Sequence, residues 1–242
     1  EYDILNTNTA GFGVLINHAI SQGANNLILC VGGSASVDGG IGALREMGLT
    51  IVNNSPNRNY ITDIKGINTE LLQQKFKEIH ITILCDVDNP ICGPEGAAAV
   101  FAPQKGASPE QIIMLDNQLC LWSDLLKQNT GKDITQLKHG GAAGGITAAM
   151  YALLNAQLIS GSEYCLTLSR FHDNLLQAGV VITGEGKIDL QSFYGKIPGT
   201  VANLCQKHNV PVYAVVGLAE KQVLTRFDKV FIMSQYTRSI QD

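Results

Sequence analysis

"VVITGEGKIDLQSFYGKIPGTVANLCQKHNVPVYAVV", residues 180–216, places two apolar runs of strand length on either side of a helical stretch. Val180–Thr183 and Pro211–Val216 are rich in the β-branched residues of buried strands, and Gly199–Lys207 reads as helix. With that helix as the crossover between them, the two strands must be parallel. Lys229–Met233 is a third apolar run, so three parallel neighbours in one sheet are expected.

The same alternation occurs upstream. A helix-like stretch from Ala10 to Gln22 precedes NLILCV at 26–31, and Glu70–Lys77 precedes IHITILC at 79–85. The alternation predicts an α/β fold of mostly parallel sheets with flanking helices. Ser108–Gln128 differs. Ser108, with Glu110 and Gln111 behind it, is a helix start, and Ile112, Leu115, Leu119, Trp122 and Leu126 then recur at spacings of three and four. Trp122 is expected in the core. Two further helical stretches, Ala142–Ala156 and Ser162–Leu176 (opened by Ser162), follow with no strong strand between them, and read as a cap or second lobe. The expected division is residues 1–176, an α/β lobe with a helical insertion over about 108–176, and residues 177–242. "NNSPNRNY", 53–60, reads as a turn-rich surface loop.

The chain has 242 residues, 45% hydrophobic and 16% charged, the make-up of an ordinary globular protein. Its net charge of -4, with no basic block, argues against a nucleic-acid surface but leaves room for small anions held by local donors. No run approaches the roughly 18 apolar residues of a membrane span. Residues 1–20 lack the basic start and apolar core of a signal peptide, so none is expected. Cys30, Cys85 and Cys205 lie in apolar stretches, as reduced buried thiols of a cytoplasmic protein would. Cys85 and Cys92 are too far apart for a Cys-x-x-Cys zinc pair, and the histidines show no His-x-x-x-His spacing.

Four stretches carry the candidate chemistry, three of them after apolar runs, where open α/β sheets bind ligands. In "VGGSASVDGGIG", 31–42, Gly32 and Gly33 let backbone N–H groups approach an anion and Ser34 and Ser36 add hydroxyls, with a helix starting near Gly39. The alternative is a strand-to-helix turn capped by Asp38. In "CDVDNPICGPEGAAAVFAPQKGA", 85–107, Asp86, Asp88 and Asn89 are hard oxygen ligands for Mg2+ or substrate hydroxyls, or else members of a capped turn. Lys105 is an anion contact or a solvated loop lysine. "HGGAAGGITAAM", 139–150, allows close approach of a ligand or of another helix. After Val180–Thr183, Glu185, Lys187 and Asp189 alternate, and Lys196 follows. Gly184 and Gly186 would leave room for a ligand there. Carboxylates and lysines are the parts phosphoryl transfer needs, although a surface salt-bridge cluster uses them too.

"GGSASVDGG", "CDVDNPICGPEGAAAVFAPQKGAS", "GGAAGG" and "TGEGKIDLQSFYGKIPGTVA", in this order, resemble the bacterial-type glycerate kinase family over nearly the whole chain. The resemblance implies phosphorylation of a D-glycerate hydroxyl by ATP with Mg2+, in a two-lobed α/β protein with one flavodoxin-like lobe. It implies that Gly32 to Asp38, Asp86 to Asn89, Lys105 and Glu185 to Lys196 line a cleft between the lobes. Val37 stands where the family commonly has Asn, and Lys138-His139 where it often has Pro-Gly. Family members begin with a further α/β stretch, carrying an Asp-Ser-Phe-Lys loop and an acidic Gly-Gly-Glu-Gly segment, and end in closing helices. The chain is therefore expected to be the core of a longer enzyme, with residues 177–242 as part of the flavodoxin-like lobe and one strand edge of the Val180 sheet open or filled by another chain.

The sequence thus reads as a cytoplasmic glycerate kinase core using ATP and Mg2+, with no nucleic-acid or membrane partner. A homo-oligomer is compatible with it. Asp189 is the first choice for base or metal ligand, Glu185 is the second carboxylate, and Lys187 and Lys196 contact phosphate oxygens. Gly32, Gly33, Ser34, Asp38 and Lys105 hold phosphate or the glycerate carboxylate, and Asp86 and Asn89 hold metal or hydroxyls. The rival is a non-catalytic module binding a small anion at the same loops. A dehydrogenase is disfavoured by the glycine spacing.

Overall fold

The structure is a computed structural model and describes residues 3–53, 64–193 and 195–235. Contacts divide the chain into two compact units, Glu1–Ile159 and Ser160–Asp242.

The first unit runs α1 (Ala10–Ser21), β1 (Asn26–Cys30), α2 (Ile41–Met47), β2 (Thr50–Asn53), β3 (Ile64–Asn68), α3 (Glu70–Phe76), β4 (His80–Cys85), α4 (Ala97–Phe101), α5 (Pro109–Thr130), α6 (Ile146–Leu154) and β5 (Gln157–Ser160). β1 and β4 are parallel, with Leu27 opposite Ile81 and Leu29 opposite Ile83. Leu27, Leu29, Ile81 and Ile83 all point into the core, which is the alternation that a pleated strand with one buried face demands. β5 is the hydrogen-bonded neighbour on the other side of β4, and β2 and β3 form a separate antiparallel pair. α5 begins with a capping box: Ser108 Oγ accepts from the Gln111 amide and Gln111 Oε1 accepts from the Ser108 amide. Its buried face, Leu115, Leu119, Trp122 and Leu126, packs with Leu44, Met47, Ile83 and Met150 in one core.

The second unit contains α7 (Gly161–Leu168), α8 (Phe171–Leu175), β6 (Val181–Ile188), α9 (Ile197–His208), β7 (Val212–Ala219) and β8 (Lys229–Ile232). As expected, β6, β7 and β8 are parallel neighbours in that order, and α9 is the crossover between β6 and β7. Val212, Ala214 and Val216 of β7 face Val201, Ala202 and Cys205 of α9, and Leu166 of α7 and Leu175 of α8 join them. Ile182, Val215, Leu218 and Phe231 of this sheet are exposed.

The structure changes several expectations. A strand does lie between the last two helical stretches, since β5 occupies Gln157–Ser160. The helix beyond it is capped by Ser160, not opened by Ser162, and breaks at Arg170, whose φ of 54° is left-handed. Because α7 and α8 share their core with α9, the division falls after Ile159 and not at 176, and no helical insertion extends to 176. Helix α6 starts at Ile146, because Ala143 and Gly144 before it adopt left-handed angles. β6 does not end at Thr183: it pairs with β7 through Ile188, opposite Ala219. Cys85 and Cys205 are buried, but Cys30 is exposed, because the outward positions of β1 alternate with Leu27 and Leu29. Asn53 closes β2, and the rest of the loop expected at 53–60 lies outside the described residues. No helix among the described residues is long and apolar enough to cross a membrane.

Candidate functional site

In the first unit a cleft of about 180 Å3 lies beyond the carboxyl ends of β1 and β4. Gly32, Gly33 and Ser34 form one wall, Asp86 and Val87 another, and Gln104 and Lys105 a third, with Ala142 and Ala143 beside them. Gly32 and Gly33 have open space where a Cβ would stand, and Gly33 has a φ of 69°. The backbone there is bare on the cleft side and needs glycine to turn as it does. Lys105, the residue with two readings, is only 7% exposed. Its ammonium donates to Ser34 Oγ at 3.0 Å and to the Ser36 carbonyl at 2.8 Å, tying it to the glycine loop. Burial pulls its pKa down to about 8, partly offset by the charge of Asp38. The cleft therefore sets a desolvated cation beside glycine backbone that no side chain covers.

Asp38 and Asn89 do not line this cleft. Asp38 accepts from the Thr9 amide at 2.9 Å, from the Thr9 hydroxyl at 2.8 Å and from the Gly42 amide at 3.0 Å, so it ties the starts of α1 and α2 together. Asp38 is not the N-cap of α2, which is Gly40; it accepts from the Gly40 amide at 3.2 Å as well as from Gly42, two residues ahead of the cap. Asn89 donates its side-chain amide to the Glu95 carbonyl at 2.8 Å and closes its own loop. Asp88 faces Lys138 and His139, at 3.3 Å from each. Not every glycine here waits for a ligand. A Cβ on Gly39 would sit 2.6 Å from Trp122, one on Gly141 2.3 Å from the Pro90 carbonyl, and one on Gly144 2.3 Å from the Ser36 carbonyl. The 139–150 stretch therefore approaches loops more than helices, with Ala142 and Ala143 left at the cleft.

In the second unit the charged residues after Thr183 gather where β6 ends and α9 begins. Glu185 lies in the same row of β6 as Val181 and Thr183, and reaches Ser192 Oγ at 2.9 Å and Lys196 Nζ at 3.4 Å. Lys187 Nζ stands between Asp189 Oδ2 and Glu220 Oε1, 3.3 Å from both. Those two carboxylates hold Lys187 above its ordinary pKa. Burial pushes Asp189 upward, but the hydrogen bond from Lys187, the Ser192 amide and the charge of Lys196 outweigh it and leave Asp189 below the usual value. Asp189 is therefore ionised at neutral pH. Gly186 is open to a ligand, whereas Gly184 is not, since a Cβ there would lie 2.6 Å from the Val215 carbonyl.

Two members of this cluster were not singled out from the sequence. Ser192 is fully buried and bonded to both carboxylate-bearing residues, and Glu220 arrives from the end of β7. The one sequence signal for Ser192 is its place three residues after Asp189, and Glu220 gives none, being 33 residues from Lys187.

The glycerate kinase family model matches residues 1–242. A glycerate kinase of Halalkalibacterium halodurans is 38% identical over 216 residues, 87% of this chain and 57% of that protein. A glycerate 2-kinase of Escherichia coli K12 is 38% identical over 220 residues, 89% of this chain and 58% of that protein. A crystal structure from Salmonella typhimurium LT2, assigned to glycerate kinase 2, superposes with a TM-score of 0.76 at 38% identity, covering 96% of this chain and 63% of that one. The chain thus spans less than two thirds of the length of these relatives. With the motifs in their order, the parallel β6–β7–β8 sheet and the full-length family match, the chain belongs to the glycerate kinase family.

Proposed function

We propose that the protein is a cytoplasmic glycerate kinase, transferring the terminal phosphoryl group of ATP to a hydroxyl of D-glycerate. The observation that carries this reading is the cluster at the end of β6, where Glu185, Ser192 and Asp189 are hydrogen-bonded together and flanked by Lys187 and Lys196. In the step itself a glycerate oxygen bonds to phosphorus, the bond to the leaving ADP oxygen breaks, and the hydroxyl proton passes to a carboxylate. Asp189, ionised and at a strand end, serves as that acceptor, and Glu185 is the second carboxylate. Lys187 and Lys196 offset phosphate charge. In the first unit, the amides of Gly32 and Gly33, with Ser34 and Lys105, receive an anionic group, and Asp86 offers an exposed carboxylate on the same cleft.

No three His, Cys, Asp or Glu side chains among the described residues form a protein-only metal cage. Mg2+ needs none, because it binds through one or two carboxylates together with substrate phosphates; Asp86 in the first unit and Asp189 in the second are each a carboxylate of that kind. When bound, Mg2+ would neutralise charge on the phosphate oxygens. A non-catalytic anion-binding module would need only the glycine loop and Lys105, so the carboxylates of the second unit favour the enzyme. The net charge of -4, with no basic block, argues against a nucleic-acid partner, and a homo-oligomer is compatible with the proposal. The test is glycerate-dependent release of ADP from MgATP by the natural protein. Release that is the same with and without glycerate would overturn the reading.

A further inference from the structure

We propose that Ser192 is the residue that positions Glu185 against Asp189, an inference that rests on the kinase reading of the β6 end. Ser192 has no exposed surface. Its hydroxyl accepts from the Asp189 amide at 3.2 Å, so its single hydrogen goes to Glu185 Oε2, at 2.9 Å. Its own amide donates to Asp189 Oδ1 at 3.2 Å. One residue therefore holds one oxygen of each carboxylate, leaving Glu185 Oε1 toward Lys196 and Asp189 Oδ2 toward Lys187.

The turn that carries Ser192 is fixed from behind. A Cβ on Gly199 would come within 2.2 Å of the Ser192 carbonyl, so the first turn of α9 is seated directly on this backbone. Ser192 thus transmits the position of a rigid helix start to the end of β6. It is not itself aimed at a substrate, because its one hydrogen is given to Glu185 and the residue has no exposed surface. Among the described residues Ser192 is the one hydrogen-bond donor to Glu185 Oε2, and the second contact of Glu185, to Lys196, is long at 3.4 Å. Without the hydroxyl, the Glu185 side chain is free to rotate away from Asp189.

The test uses the natural protein and the variants Ser192→Ala, Ser192→Cys (similar in volume, a weak donor) and Ser192→Thr, each also in a Glu185→Gln background. If Ser192 acts through Glu185, alanine and cysteine lower kcat by about 10-fold while KM for ATP stays within about 2-fold. Threonine, which keeps the donor, restores most of the loss. In the Glu185→Gln background, Ser192→Ala adds less than about 2-fold, because the partner it orients is already altered. Full additivity of the two substitutions, or a cysteine variant with normal kcat, overturns the proposal even if the alanine variant folds poorly. Absence of glycerate-dependent turnover in the wild type overturns the kinase reading and this role with it, whereas an active wild type with additive variants overturns this role alone.

Discussion

If Lys105 contacts a bound anion, as proposed, that binding depends on pH in a direction that follows from its lowered pKa. Its pKa is lowered from 10.5 to about 8 by burial. With that value the ammonium is about nine-tenths protonated at pH 7 and about one-tenth at pH 9. If the anion binds the charged form, Lys105 should leave the apparent Kd for ATP flat below pH 7 to 7.5 and raise it about ninefold by pH 9. The terminal phosphate of ATP takes up its last charge between about pH 6 and 7 and would tighten binding there, so the ligand does not mimic a loss of affinity above pH 7.5. Isothermal titration of ATP into the protein from pH 6.5 to 9.5 reads it, and Lys105→Met should bind weakly at every pH with no such rise. A wild-type Kd that stays constant to pH 9, or a Lys105→Met protein that keeps the wild-type profile, would refute the assignment. Stability moves the other way. Between about pH 8 and 10.5 the unfolded chain holds a proton that folded Lys105 has lost, so stability rises with pH across that window, by on the order of 3 kcal/mol at its upper end.

Asp189→Asn keeps the shape and removes the charge, so turnover should fall by roughly two to four orders of magnitude with an unchanged circular dichroism spectrum, read in a coupled ADP assay. Asp38→Ala strips the acceptor from Thr9 and Gly42 and should cost about 3 kcal/mol in urea unfolding, and with the offsetting charge gone the Lys105 pKa should fall further. Gly39→Ala drives a methyl into Trp122 at a φ of 60° and should destabilise by about 2 kcal/mol or more, whereas Gly32→Ala meets open space and should leave unfolding unchanged while weakening anion binding. Glu220→Gln leaves Lys187 with Asp189 as its one carboxylate partner in this cluster and should lower KM for ATP by a few fold, as a competing charge is lost.

The parts of the fold legible in the sequence are those whose pattern is complete within a few residues. The inward Leu27, Leu29, Ile81 and Ile83, and the five apolar positions of α5 with Ser108 before them, identify their elements unaided. β2, β3 and β5 are four or five residues long, and TIVN, IKGIN and QLIS are too short to show a period. β6 is longer than it reads because Gly-Glu-Gly-Lys argues locally for a break, while the ladder to β7 carries the strand on to Ile188. At the site, the charged residues stood out by type, but their partners did not. Thr9 is 29 residues from Asp38 and Glu220 is 33 from Lys187, so these pairs exist only after folding. His139 stands where the family often has Gly. It has a φ of 68°, the conformation glycine favours at that turn, and its ring meets the Val87 carbonyl at 2.7 Å.

Trp122 is the single tryptophan of the chain, and it lies in the first unit, buried, with its indole N–H on the Gly39 carbonyl at 3.0 Å. Its fluorescence therefore follows the first unit and the glycine loop it holds, while far-ultraviolet circular dichroism follows both units. In denaturant the two signals trace the same curve only if the units melt as one. An emission change on adding ATP at constant dichroism would report the loop at 31–42, six residues from Gly33 to the indole's acceptor, with no label introduced.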